Sequence, residues 1–187
     1  MLRRVPEPTA RLFFRTWRSG DLPLAIGLWG DARVTALIGG PFDDAQVRSR
    51  LDAELATERE HGFQYWPVFL STTGEHVGCC GLRPRDVAQG VLELGFHLRA
   101  SHWGHGLARE AARSVIKHAF DDLEVRALFA GHHPGNTASR RTLERLGFRY
   151  THDELYPATG LLHRSYVLTS SDFRRWIDAH RAVHDRG

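Results

Sequence analysis

The chain has 187 residues, 42% hydrophobic and 25% charged, with a formal net charge of +3. That is ordinary globular composition and length enough for a sizeable core, expected as a single domain over 1–187. So mild a positive balance, with no recognisable nucleic-acid module, argues against a nucleic-acid partner and suits a site for a polyanionic ligand. No apolar run approaches the roughly 20 residues that cross a bilayer, and Met1 to Pro6 lacks the apolar centre of a signal peptide. Membrane association is therefore not expected. The only cysteines, Cys79 and Cys80, are adjacent and do not reach disulfide geometry, which fits a reducing, cytoplasmic compartment. The 12 histidines fall in no His-Glu-x-x-His spacing, so no metal site is expected and His132-His133 reads as a loop pair.

Arg11 to Trp17 predicts a first strand. Ser19 or Asp21 can cap a helix over Pro23 to Trp29, whose first turn tolerates the proline. After Gly39-Gly40-Pro41, Asp43 or Asp44 starts a second helix with Val47, Leu51 and Leu55 four apart. Its remaining charges, Arg48, Arg50, Asp52, Glu54, Glu58 and Arg59, read as a solvated face, and Gly62 ends it. Phe63 to Leu70 and His76 to Leu82 predict two strands around a polar turn, with Pro67 favouring an edge or a bulge. Arg83 to Gly90 is expected as a polar loop.

Leu92 to Leu98 alternates apolar with polar or small residues, a strand with Leu92, Leu94, Phe96 and Leu98 on one face. A Gly-rich turn follows. From Leu107, the spacing of Ala108, Ala111, Ala112, Val115, Ile116, Ala119 and Phe120 predicts a long helix with one buried stripe. Its first turn is Gly and Ala, so free backbone N–H groups and the positive end of the helix dipole form a cradle for a diphosphate. Val125 to Ala130 then predicts a strand parallel to the one before the helix, joined to it by a right-handed crossover. A helix over 137–146 closes at Gly147, and two strands are expected at about 148–155 and 161–168. Ser170-Ser171-Asp172 caps a last helix with Phe173, Trp176, Ile177 and His180 on one side. The order is that of a mixed α/β (α+β) fold rather than an alternating parallel wind.

Trp103-Gly104-His105-Gly106-Leu107-Ala108 is followed downstream by Gly135-Asn136-Thr137-Ala138-Ser139 and then Leu146-Gly147-Phe148. Together these resemble the GNAT superfamily of acyl-CoA-dependent N-acetyltransferases, whose cofactor loop reads Gln/Arg-x-x-Gly-x-Gly/Ala. Trp103 stands at the Gln/Arg position, Gly106 at the first required Gly and Ala108 at the last. The Trp departs from the general pattern, and with the Asn-Thr-Ala-Ser helix and Leu-Gly-Phe it is similar to the Rim-type branch, the ribosomal-protein N-terminal acetyltransferases.

The resemblance implies a GNAT fold, a central and mostly antiparallel sheet of about seven strands with a splayed parallel pair and flanking helices. It implies acetyl-CoA as cofactor, held at Trp103, Gly104, His105, Gly106, Leu107, Ala108 and Arg109, with the N–H groups from about His105 to Arg109 on the pyrophosphate. Main-chain groups at Phe96, His97 and Leu98 would pair with the pantetheine arm, and an N–H near Leu98 would polarise the thioester carbonyl. Asn136 caps its helix and would also bond the pantetheine, and one of Arg140 and Arg141, with Arg141 preferred, would reach the phosphates. The acceptor would be a primary amine, on a small molecule or a protein N-terminus, walled by loops and helices ahead of the motif. A homodimer is common in the family.

Amide formation from a thioester needs a held donor, a neutral amine, and a proton for the leaving thiolate. Glu93 shares the non-apolar strand face with Gly95 and His97 and is the candidate base, provided that partial burial raises its pKa. A purely structural carboxylate is the equal alternative, and His97, titrating near neutrality, is the second choice for the base. Ser139, one helical turn past Asn136, is the candidate acid, with Tyr150 and Tyr166 as alternatives. A cysteine nucleophile is not expected, because Cys79 and Cys80 precede the motif with no His–Asp arrangement implied. The expected activity is direct acetyl transfer in a ternary complex; the alternative is a degenerate acyl-CoA-binding regulatory module. A phosphate-loop NTPase is disfavoured, since Gly-x-x-x-x-Gly-Lys-Ser/Thr is absent.

Overall fold

The computed structural model describes residues 5–184, with side chains through residue 178. Seven strands are present: β1 (Leu12–Phe14), β2 (Tyr65–Leu70), β3 (His76–Asp86), β4 (Val91–Leu98), β5 (Ala127–His132), β6 (Arg149–Tyr156) and β7 (Leu161–Thr169). The α-helices are α1 (Leu22–Trp29), α2 (Ala32–Thr35), α3 (Asp44–His61), α4 (Leu107–Asp121), α5 (Thr137–Arg145) and α6 (Ser170–His184). The strands form one sheet in the order β1-β2-β3-β4-β5-β7-β6. Every neighbouring pair is antiparallel except β4 and β5, which run parallel. The α4 crossover between those two strands is the connection that the spacing predicts.

Both faces of the sheet are covered, and side-chain alternation sorts the residues between two clusters. Trp66, Val68, Leu82, Leu94 and Leu128 pack with the apolar stripe of α4, joined by Phe173 of α6. Tyr65 and Cys79 face the other way, onto Leu28 and Trp29 of α1 and Val47 and Leu51 of α3. Cys79 and Cys80 thus enter different clusters, both buried and free.

Several boundaries move for physical reasons. The first strand keeps only Leu12–Phe14, because the Asp21 carboxylate pulls the following chain inward: it accepts from Arg15 Nη1 and Nη2 (2.6 and 2.9 Å) and from the Arg18 N–H (2.8 Å). Asp21 therefore makes no side-chain cap on α1, and the single turn α2, capped by Asp31, goes unanticipated. Asp43 caps α3 in a reciprocal box with Gln46 (2.8 and 2.9 Å), and Gly62 ends the helix at φ 77°.

The solvated face expected on α3 is corrected at three positions. Glu54 is only 1% exposed, Arg50 lies over the Trp29 ring (4.8 Å), and the Glu58 carboxylate accepts from Gln64 Nε2 (3.1 Å). Packing of α1 on α3 is the reason, since it covers the sector that carries Val47, Arg50, Leu51 and Glu54. The loop expected at Arg83 to Gly90 is also corrected: β3 runs on to Asp86, with an irregularity between Pro84 and Asp86. Pro67 sits where β1 no longer pairs and just before a register shift at Val68/Phe69, so its missing N–H forfeits nothing.

Later elements fall within two residues of expectation, and Gly147 takes φ 88° after α5. His132 proves to be the last residue of β5 and not part of a loop. On α6, Phe173 is buried while Trp176 and Ile177 pack against the core; the side chain of His180 lies outside the described residues.

Gly81 pairs with Tyr65, and a Cβ there would collide with the Gln64 carbonyl, which already accepts the Leu82 N–H at 2.9 Å. Gly81→Ala is expected to cost about 2 kcal/mol or more in urea unfolding, while Gly20→Ala, with nothing within 4 Å, stays near wild type.

Candidate active site

The parallel pair is short. β4 and β5 match only at Val91–Ala127, Leu92–Leu128 and Glu93–Phe129. Beyond Glu93, β4 stays with β3 as far as Leu98, while β5 stays with β7 as far as His132. The two strands part, and a cleft of about 330 Å³ opens at the fork.

Register decides which main-chain groups face this gap. The Arg99 N–H bonds the Val77 carbonyl (2.9 Å), which makes Cys79 and His97 a mutually bonded pair and turns the N–H groups of Phe96 and Leu98 the other way. No strand meets them there. His97 therefore differs from its two neighbours: its main chain is paired to β3 and only its ring reaches the cleft. The Leu98 carbonyl accepts from Trp103 Nε1 (2.8 Å), so the indole at the departing motif position ties the loop to the end of β4.

The glycine turn then opens α4. Gly104 and Gly106 take φ 82° and 75°, a Cβ at Gly104 would meet nothing within 4 Å, and one at Gly106 would meet only Arg11 Nη2 at 3.9 Å. The first N–H bonded within the helix is that of Glu110, to the Gly106 carbonyl (3.1 Å). The N–H groups of Leu107, Ala108 and Arg109 therefore have no helical acceptor and no side-chain cap, beside a turn whose glycines leave room for a ligand, which fits a diphosphate. The Leu107 side chain is buried in the core, so this residue can contribute only main chain. Arg11 braces the turn from β1's side, donating to the His105 carbonyl (3.1 Å) while its Nε bonds Glu110 (2.7 Å).

On the cleft floor, Glu93 occupies the last paired position before the fork, opposite Arg83 on β3. The Tyr65 hydroxyl fills the space over Gly95, where any Cβ would collide with it, and from there acts on the Glu93 carboxyl two residues along the same strand face. Burial raises the Glu93 carboxyl above the ordinary carboxylate range, with Arg83, Arg85 and the Tyr65 hydroxyl pulling it part of the way back. Tyr65 is itself pushed well up, by burial and then by the Glu93 charge, and stays protonated. His97 is held well below the usual imidazole range by burial and by Arg50 and Arg83. Its Nδ1 accepts from Trp29 Nε1 (3.3 Å), so it is a neutral, bonded ring and a poor base.

Sequence reasoning missed the polar frame around Glu93. Arg83 reaches Glu54 (2.5 Å) and stacks on Tyr65 (4.4 Å); Glu54 also accepts the Tyr65 N–H (2.8 Å). Arg85 lies over Phe129 (4.1 Å) and grips both oxygens of Glu154 (2.8 and 2.6 Å). A signal existed for Glu54, which falls seven residues after Val47 on the buried helical period; none existed for Glu154.

Asn136 and Ser139 line the far side of the cleft, where Asn136 Oδ1 caps α5 by accepting the Ser139 N–H (3.0 Å). Arg141 is exposed on α5, and Arg140 lies near Glu144 (3.9 Å). Tyr150 is exposed and bonds Asp153 (3.2 Å), while Tyr166 is core; neither lines the cleft. The Cys79 thiol is pushed up to about 12 by burial and then by Glu54, which suits a packing residue and not a nucleophile. Among the described residues no cluster could hold a metal ion.

A family model, the acetyltransferase (GNAT) domain, matches residues 11–149. The uncharacterized protein YkkB of Bacillus subtilis (strain 168) is 32% identical over 145 residues, covering 76% of this chain and 84% of YkkB. The uncharacterized N-acetyltransferase p20 of Bacillus licheniformis is 30% identical over 143 residues, covering 75% and 80%. Among solved structures, RimL, a ribosomal L7/L12 α-N-protein acetyltransferase in complex with coenzyme A, superposes with a TM-score of 0.76 at 14% identity, over 88% of this chain and 97% of RimL. The fold is shared with that enzyme, and by sequence the chain belongs to the GNAT acetyltransferase family.

Proposed function

We propose that the chain is an acetyl-CoA-dependent N-acetyltransferase that acts on a primary amine by direct attack in a ternary complex, with residues 1–187 as one GNAT domain of the Rim-type branch. The observation that carries this reading is the place of Glu93: a carboxyl of raised pKa at the point where β4 and β5 part, beside unpaired main-chain groups.

Acetyl-CoA, when bound, supplies an acyl group activated as a thioester. The N–H groups of Leu107 to Arg109 would hold its pyrophosphate, and those of Phe96 and Leu98, with Asn136, would hold and orient the pantetheine arm. Glu93 Oε takes a proton from the acceptor ammonium, directly or through a water. Its raised pKa makes that transfer less uphill than for an ordinary carboxylate. The Tyr65 hydroxyl acts on this carboxyl to favour its charged form. Ser139 Oγ is the proton donor assigned to the departing sulfur.

Glu93→Gln is expected to lower kcat by about 10²–10⁴-fold while coenzyme A affinity, read by calorimetry, stays within about twofold. Folded Glu93 has a pKa above its unfolded value, so ionising it costs stability as pH rises through the folded pKa. The Gln variant should therefore be at least as stable as wild type at alkaline pH, which separates lost chemistry from lost fold. Undiminished turnover in Glu93→Gln would remove Glu93 as the base. Coenzyme A binding without thiol release across a panel of amines and N-terminal peptides would favour the regulatory module.

The pH profile gives a second test. kcat/KM should rise with pH through a group titrating above the ordinary Glu value of about 4.3. Tyr65→Phe deletes the hydroxyl that lowers Glu93 and should move this limb to higher pH. An unmoved limb would mean that another group titrates.

A further inference from the structure

The cleft contains one cation that the proposed chemistry leaves unused. Arg50 projects from α3 into it, lying over the rings of Trp29 (4.8 Å) and Phe42 (5.9 Å). Its Nε is buried without a hydrogen-bond partner, and among the described residues no carboxylate pairs with the guanidinium. The nearby acids are already engaged. Glu54 gives its two oxygens to Arg83 and to the Tyr65 N–H, Glu154 gives both of its own to Arg85, and Glu93 lies within reach of the charges of Arg83 and Arg85. Burial, then the charge of Arg83, make Arg50 less basic than a free guanidinium, with Glu54 offsetting only part of this from a distance.

A partly buried guanidinium packed against aromatic rings in the wall of a cleft, with a buried Nε that no group bonds, is suited to receive a carboxylate through paired N–H···O bonds. We infer that the acceptor is a small aminocarboxylate, its carboxylate received by Arg50 and its amine directed to Glu93. This rests on the acetyl-transfer reading above. Arg50 and Glu93 line the same cleft and the charges of both act on Tyr65, so one small acceptor can meet the two of them. Charge balance points the same way. An ammonium together with a carboxylate adds no net charge to a cleft lined by Arg50, Arg83 and Arg85 against Glu93 and Glu154, with Glu54 buried behind Arg83, whereas a polyamine would bring several cations against three guanidiniums.

The test is thiol release from acetyl-CoA with acceptors that differ only at the carboxylate: α- and ω-amino acids, each against its amide and its decarboxylated amine, plus a peptide with an amidated C-terminus. Wild type should prefer the acids by at least about tenfold in kcat/KM, the size of a charge-assisted hydrogen bond. In Arg50→Gln that preference should collapse to about twofold or less, through KM for the acid, with the amides little changed and Arg50→Lys intermediate. A folding defect would instead lower both acceptor types together. Equal use of acids and amides by wild type, better use of the peptide, or a preference that survives in Arg50→Gln would overturn the inference and leave acetyl transfer standing. If no amine releases thiol, acetyl transfer fails and binding decides the carboxylate site separately. Calorimetry with N-acetylated amino acids in the presence of coenzyme A should then show saturable binding in wild type and at least about tenfold weaker binding in Arg50→Gln; no difference would overturn it.

Discussion

The parting of β4 and β5 after the Glu93–Phe129 pair is the constraint from which the site follows. Each strand keeps its outer neighbour to its end, β4 with β3 and β5 with β7, so neither can close the gap without breaking a longer ladder. Backbone groups turned into such a gap need partners. At Leu98 the carbonyl takes the Trp103 indole; the N–H groups of Phe96 and Leu98 are left for something that enters the cleft. A linear molecule rich in amides is the natural occupant, and the start of α4, a short loop away, offers unspent N–H groups for the phosphates at its other end.

The sheet's second face carries the groups proposed for the chemistry. Residues of β4 alternate, so the strand that lends main chain to one ligand presents Glu93, Gly95 and His97 to the layer built by α1 and α3. Gly95 is required there because the Tyr65 hydroxyl occupies the space of a side chain, two residues along the same strand face from Glu93. Glu54 then anchors Tyr65 through its N–H and Arg83 through its side chain. The charged frame is held from behind by a helix whose burial comes from contacts with α1. The proposed acceptor recognition and the packing of the fold thus meet on α3.

What could be read beforehand divides along the same line. The α4 stripe, the Gly104–Gly106 turn, Asn136 as a cap and Gly147 after α5 are local signals, each set by neighbours within about one or two helical turns, and they locate the cofactor side. Their resemblance to the GNAT motifs extends the reading to the splayed sheet. The acceptor side is assembled from β3, α3 and the β6–β7 hairpin, and its pairings span 29 residues between Glu54 and Arg83 and 69 between Arg85 and Glu154. A charged residue on a helix reads as solvated unless the packing of another helix is known, which is why Arg50 and Glu54 were assigned to the surface. Arg83 and Arg85 read as part of a polar loop for the same reason: their partners are remote in sequence.

The most direct test of the central claim is a titration of the isotope-labelled protein with coenzyme A, followed through backbone amide resonances. The account predicts saturable shifts concentrated at Phe96 and Leu98, from Gly104 to Arg109, and around Asn136 and Ser139, with His97 moving less than its two neighbours. No saturable shift, or shifts centred away from the β4–β5 fork and the start of α4, would contradict it.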